Sequence, residues 1–298
     1  MIIFHDPRSA EYSVAGHPER PARVTASASY LRERLPDWEW RQPNEATEEM
    51  LLRAHSASHL ARVRTVRHDF DADTPAYPDI FAHAARATGA ACDVAKASLG
   101  GTPAFSLMRP PGHHATRDQA MGFCFFNHIA VAAFAALANG AERVAIWDFD
   151  AHHGNGTEAI VAGHAQIAFA SVHQFPGYPG TGARSLGNVH NFPVPPFTPR
   201  PVHREAVVQA LEKLLAFQPD LLLVSAGFDA FAGDPLTQMS LEAEDFAQFG
   251  VWLRETGLPA GAILEGGYSD ALPQLIENFL TGWAPEAKKF GKRDRRDE

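Results

Sequence analysis

The sequence predicts an α/β fold of three layers, α/β/α, with a mostly parallel central sheet. Two patterns point to it. Short apolar runs rich in β-branched residues alternate with longer stretches of helical periodicity, the signature of βαβ units and of a sheet covered on both faces. Each unusual polar cluster also follows directly on one of those runs. Parallel strands end on one edge, and open α/β sheets build their sites there.

Six runs read as strands: "MIIFH" (1–5), "AFSLM" (104–108), "RVAIW" (143–147), "IAFASV" (167–172), "LLLVSAG" (221–227) and "GAILEGG" (261–267). The near-continuous hydrophobicity of 221–227 marks a central, doubly buried strand. Between them lie helices. That over 128–140 is Ala-rich and stops at Asn139-Gly140. That over 201–218 opens with a proline and has apolar residues at helical spacing. That over 240–257 is expected to start at a Ser240 cap, with acids in its first turn and Gly257 at its end.

Composition narrows the class. The 298 residues suffice for one large α/β domain, expected over 1–283, with a charged, frayed tail over 284–298 ("KKFGKRDRR" within it). A formal net charge of −9 argues against nucleic acid as the main partner. No apolar stretch is long enough to span a bilayer, so no membrane is expected. The N-terminal residues lack a signal-peptide pattern, and Cys92 and Cys124 are the only cysteines. Both observations fit a reducing cytoplasm. The unusual count is fifteen histidines.

The clusters carry the chemistry. In "DFDAHHGNGT" (148–157), Asp150 and His152 are two residues apart, and on an extended segment they face the same way. A carboxylate and an imidazole suit a divalent transition metal, and Asp229, after the 221–227 strand, offers a third ligand. D-x-H alone is weak, because Asp150 could cap a helix while His152 merely packs. In "RPPGHHA" (109–115), Pro110 and Pro111 stiffen a turn that presents His113 and His114 together. Two bare histidines are usually surface residues, but these follow a rigid lead-in after a buried strand. Asp148 can accept a hydrogen bond from a histidine ring and favour its cation. Asn155 offers the other histidine a neutral amide instead. In "EGGY" (265–268), the Tyr268 hydroxyl can donate to a developing oxyanion.

In order along the chain, "RPPGHHA", "GFCFFN", "DFDAHHGNGT", "SVHQ", "SAGFDA", "GDP" and "EGGY" resemble the histone deacetylase superfamily. The likeness is strongest to its class II branch and bacterial relatives, including acetylpolyamine amidohydrolases. It covers roughly residues 1 to 280 and implies an arginase/deacetylase-like fold. It also implies one Zn2+, with Fe2+ as the alternative in the cell, on Asp150, His152 and Asp229. His113 and His114 match the tandem catalytic histidines, Asp148 the partner of His113, and Tyr268 the oxyanion-stabilising tyrosine. Asp73 matches the rim aspartate, and Phe123, beside Gly122, a wall of the acyl-lysine tunnel. Arg23 matches an arginine near the inner acetate exit. Asp148 and Ser171 match residues around a structural K+, with Asn155 as a supporting residue.

Two positions depart from the pattern. Tyr178 stands where the opposite tunnel wall is usually Phe. Leu236 stands where the polyamine-selective eukaryotic member has a glutamate, which weakens an acetylpolyamine reading. The implied activity is metal-assisted hydrolysis of acyl-lysine, on a peptide or protein, or of a similar small acylated amine. In it, His113 is held cationic by Asp148, while His114 stays near the ordinary ~6.5 and serves as base, then acid. Two other classes fit the residues less well. A Mg2+ phosphatase built on "DFD" leaves His113, His114 and "EGGY" without a use. An acyl-lysine binding module without turnover predicts a missing ligand or tyrosine. The sequence is compatible with a homo-oligomer.

Overall fold

The computed structural model describes residues 1–284, and from residue 285 onward the expected tail lies outside the described residues. Eight strands form one sheet: β1 (Ile2–Phe4), β2 (Glu39–Arg41), β3 (Ala104–Ser106), β4 (Val144–Asp148), β5 (Ile167–Gln174), β6 (Val189–Val194), β7 (Leu221–Ala226) and β8 (Ala260–Leu264). Their order across the sheet is β2-β1-β3-β8-β7-β4-β5-β6, and every pairing is parallel rather than most of them. Among the described residues, eight α-helices lie between strands and a ninth follows the last: α1 (Ala22–Arg34), α2 (Glu48–Leu52), α3 (Ala57–Arg64), α4 (Ile80–Leu99), α5 (His128–Ala138), α6 (Asn155–Val161), α7 (Arg200–Leu215), α8 (Ala243–Glu255) and α9 (Leu272–Trp283).

The alternation of side chains along each strand divides the core in two. On β4, Ala145 and Trp147 face the layer of α1, α7, α8 and α9, while Val144 and Ile146 face α4, α5 and α6. β7 divides the same way, with Leu222 and Val224 on the first face and Leu221 and Leu223 on the second. Both faces are therefore apolar, and every residue of β4 and β7 is buried. A third cluster, including Tyr12, Leu60, Tyr77 and Phe125, packs the loops beside the sheet.

Several expectations need correction. β5 runs on to Gln174, so His173 lies inside a strand rather than after it. β8 ends at Leu264, which leaves Glu265-Gly-Gly outside it. α8 starts at Ala243, and its first turn is closed by Asp245, whose carboxylate accepts the Glu242 N–H at 2.8 Å. Ser240 is not the cap, because its hydroxyl donates to the Thr198 carbonyl. Two strands, β2 and β6, and six helices, α1, α2, α3, α4, α6 and α9, lie outside the elements expected from the sequence.

The topology gathers four loops. β3, β8, β7 and β4 are consecutive across the sheet. Their C-terminal ends deliver residues 107–114, 265–268, 227–229 and 149–154 to one place.

Candidate active site

A cavity of about 200 Å3 opens above those four strand ends. His114, His152 and Tyr268 line it, together with Gly122 and Phe123. Asp73, Tyr178 and Leu236 complete its lining, and the last two are 38% and 37% exposed. Gly122 (φ +56°) and Phe123 (φ +69°) form a tight turn. A Cβ on Gly122 would come within 2.6 Å of the His114 ring and 3.0 Å of the Tyr178 ring, so only glycine fits there. The Phe123 ring meets Tyr268 edge-on at 5.7 Å and is backed by His17 at 4.7 Å.

At the floor of the cavity, His152 meets the buried Asp150 and Asp229. One ligand atom from each lies within 4.8 Å of the others, and no other such group occurs among the described residues. Asp150 and His152 sit on a bend after β4, not on an extended segment as expected. The bend still brings them together, because the His152 N–H donates to Asp150 Oδ1 at 2.9 Å. The Ala151 and Gly266 N–H groups hold Asp229 Oδ1 and Asp150 Oδ2 at 2.8 and 2.7 Å. His152 Nδ1 faces both carboxylates, 2.8 Å from Asp229 and 3.2 Å from Asp150. Both aspartates are completely buried. Two buried carboxylates sharing one imidazole are costly without further positive charge. Two carboxylate oxygens and an imidazole nitrogen would neutralise a divalent ion, so the donor set fits one.

The tandem histidines differ through their partners. His113 Nδ1 donates to Asp148 Oδ2 at 3.0 Å, and Nε2 lies 3.7 Å from Asp150. Burial alone would lower its pKa, but Asp150 and Asp148 outweigh burial and raise it to about 10. His114 Nδ1 lies 2.7 Å from the Asn155 carbonyl oxygen. An amide oxygen can only accept, so that nitrogen carries the proton and Nε2 keeps its lone pair. Burial first, then the cations of His113 and His152, hold the His114 pKa well below 6.5. The expectation of a near-ordinary value is thereby corrected: desolvation, invisible in sequence, dominates. Burial likewise keeps the Tyr268 hydroxyl protonated, well above its usual range.

Ser171 is not in the cavity. It pairs in register with Asp148 across β4 and β5, and its hydroxyl meets His173 Nδ1 at 2.9 Å. Arg23 lies behind Tyr268, 4.8 Å from the ring centre, and donates to the carbonyls of Gly267 and Glu265. Three acids escaped the sequence reading. Asp234 accepts the Tyr268 N–H at 2.7 Å and the Leu236 N–H at 3.0 Å, and burial and Asp229 raise it to about 7. Glu19 pairs with the fully buried Arg109 and so ties the N-terminal segment to the tandem-histidine loop. Glu265 lies beneath that loop, raised to about 7 by burial. The signal was present for two of them, as acids beside glycine in "GDP" and "EGGY".

A family model described as the histone deacetylase domain matches residues 17–282. An uncharacterised protein of Synechocystis sp. is 42% identical over 286 residues, covering 90% of this chain and 93% of its own. A protein named probable deacetylase from Methanothermobacter thermautotrophicus is 35% identical, covering 95% and 90%. Among solved structures, an acetylpolyamine aminohydrolase from Burkholderia pseudomallei superposes with a TM-score of 0.89 at 25% identity, covering 96% of this chain and 99% of that one.

Proposed function

Because this chain belongs to the histone deacetylase family and is a hydrolase acting on amide bonds, we propose that it removes an acetyl or other short acyl group from acyl-lysine or a similar acylated amine. The observation that carries the reading is the meeting of Asp150, His152 and Asp229 at the floor of a cavity lined by His114 and Tyr268. We assign the three ligands to Zn2+, with Fe2+ as the alternative in the cell. When bound, the ion supplies Lewis acidity that polarises the amide carbonyl and makes water nucleophilic at neutral pH.

The chain's own residues do the rest. His114 Nε2, unprotonated, takes a proton from the attacking water and returns it to the departing amine. The Tyr268 hydroxyl donates to the carbonyl oxygen as negative charge develops on it. His113, cationic against Asp148, steadies that charge through its field. Phe123 and Tyr178 flank the acyl-bearing arm, and Gly122 leaves room for it. Asp73 at the mouth accepts from the N–H groups of the substrate. We retain a structural K+ beside Asp148 and Ser171, supported by their register and complete burial. We take residues 1–283 as one catalytic unit. No described helix is long and apolar enough to cross a membrane. The cytoplasm is inferred from the two free cysteines.

The substrate class turns on the mouth. Leu236 presents an apolar side chain there, which favours acyl-lysine over an acetylpolyamine that would place a second cation against it. The likeness to an acetylpolyamine aminohydrolase keeps the second substrate in the comparison. The test is kcat/KM for an acetyl-lysine peptide, N-acetylputrescine and a longer acyl-lysine, measured side by side. We expect the peptide to be preferred by at least about tenfold, roughly 1.4 kcal/mol of transition-state binding. A preference for N-acetylputrescine would reverse the assignment.

A further inference from the structure

Glu265 is completely buried, yet the chemistry above gives it no task. Its Oε2 accepts two backbone N–H groups, Gly112 at 2.7 Å and His113 at 3.1 Å. Its Oε1 accepts the Ser225 hydroxyl from neighbouring β7 at 3.3 Å. The other side of the same peptide segment is fixed too, because the His113 carbonyl accepts the N–H groups of Gly156 and Thr157 at the start of α6. The His113 backbone is thus pinned on two sides, and only Glu265 pins its N–H side.

The residues after Glu265 reach the remaining parts of the site. The Gly266 N–H holds Asp150, the Gly267 carbonyl accepts from Arg23, and Tyr268 lines the cavity. A Cβ on Gly266 would lie 2.3 Å from Asp229 and 2.6 Å from Asp150, so the backbone there is packed directly against the ligand carboxylates. One four-residue segment therefore touches the tandem-histidine loop and the carboxylate pair at once.

We propose that Glu265 is a positioning residue: by accepting the Gly112 and His113 N–H groups it fixes where both histidine rings stand relative to the ligand carboxylates. Length and hydrogen-bond acceptance perform this task, not charge. The inference rests on the deacylase reading given above.

Two conservative variants separate length from charge. Glu265→Gln keeps the reach and an acceptor oxygen but removes the charge. Glu265→Asp keeps the charge but withdraws the carboxylate by about 1.5 Å, one carbon–carbon bond. Steady-state kinetics on the acetyl-lysine peptide are to be read with bound metal quantified. We expect Gln to retain kcat within about threefold, and Asp to lose it by roughly a hundredfold, the scale of an ångström-sized misplacement. KM and metal content should stay near wild type in both. Asp as active as wild type, Gln as damaged as Asp, or a loss in Asp explained by lost metal would each overturn the proposal. Amide hydrogen exchange at Gly112 and His113 asks the same question without substrate: protection should survive in Gln and fall in Asp, and equal protection in both would overturn it. A wild-type protein inactive on every acylated amine would strike the functional reading instead, and the exchange result would still judge the positioning role.

Discussion

Neighbouring side chains of one type are held in different charge states here because their hydrogen-bond partners differ. His113 faces a carboxylate and His114 an amide, at 3.0 and 2.7 Å. The first is held cationic and the second neutral, although their ring centres are 4.0 Å apart. The sequence already carried that contrast in Asp148 and Asn155. The depth of the His114 shift was not legible, because burial, its largest cause, is a property of the packed molecule. The expected outcome is that His114→Ala lowers kcat on an acetyl-lysine peptide by about 10²–10⁴, the scale of a lost general base, with little change in KM. Near-normal turnover in that variant beside a dead His113→Ala would reverse the two assignments.

The legible elements were those with two apolar faces, since β4 and β7 are buried throughout and read as continuous hydrophobic runs. The edge strands were not legible, for the same reason. β2 is Glu39-Trp-Arg with its ends exposed, and β6 carries His190 and Pro193 on a half-covered edge. α4 was hidden by Gly89 in its middle, a residue that weakens a helix signal. Its reason is tertiary: a Cβ there would meet the Asn44 carbonyl at 1.8 Å. The strand-end glycines have a comparable tertiary reason at the site. A Cβ on Gly227, just past β7, would lie 2.0 Å from Asp150 Oδ2. Gly227→Ala should therefore displace the Asp150 carboxylate and weaken divalent metal binding by at least about tenfold, or about 1.4 kcal/mol. Metal titration of the folded variant checks this, and wild-type affinity would show that the strand end can yield. Glu265 and Asp234 escaped the reading because their partners are backbone N–H groups, in the case of Glu265 more than a hundred residues away.

Across the whole molecule, histidines are buried far from the cavity as well as in it. His55 and His173 are held at about 3, and His128 and His203 at about 4, in each case chiefly by burial. His55 shows why: its Nδ1 donates to the Thr116 carbonyl and its Nε2 accepts the Asn127 N–H, so protonation breaks a bond. Below pH ~6.5 the unfolded chain binds protons at these four sites that the folded chain refuses, so stability falls as pH drops from about 6.5 toward 4. Glu265 and Asp234, raised to about 7, take up protons in the folded state and oppose this, as do the raised Asp148 and Asp229, but they are outnumbered, because burial also lowers His5, His59, His83, His114 and His190. The melting temperature should therefore fall between pH 6.5 and 4.5 in a calorimetric series, and a flat or rising profile would contradict the balance. The four site loops converge because β3, β8, β7 and β4 are neighbours, an order that the run of motifs along the chain does not reveal. The central claim is that this convergence makes a divalent-metal hydrolase. Its most direct measurement is acetate release from an acetyl-lysine peptide by chelator-treated protein as Zn2+ is returned in known amounts. Activity should rise linearly and level off at one equivalent per chain, and should not return in Asp229→Asn. Full activity in the chelated protein, or restoration of Asp229→Asn to the wild-type level, would contradict the account.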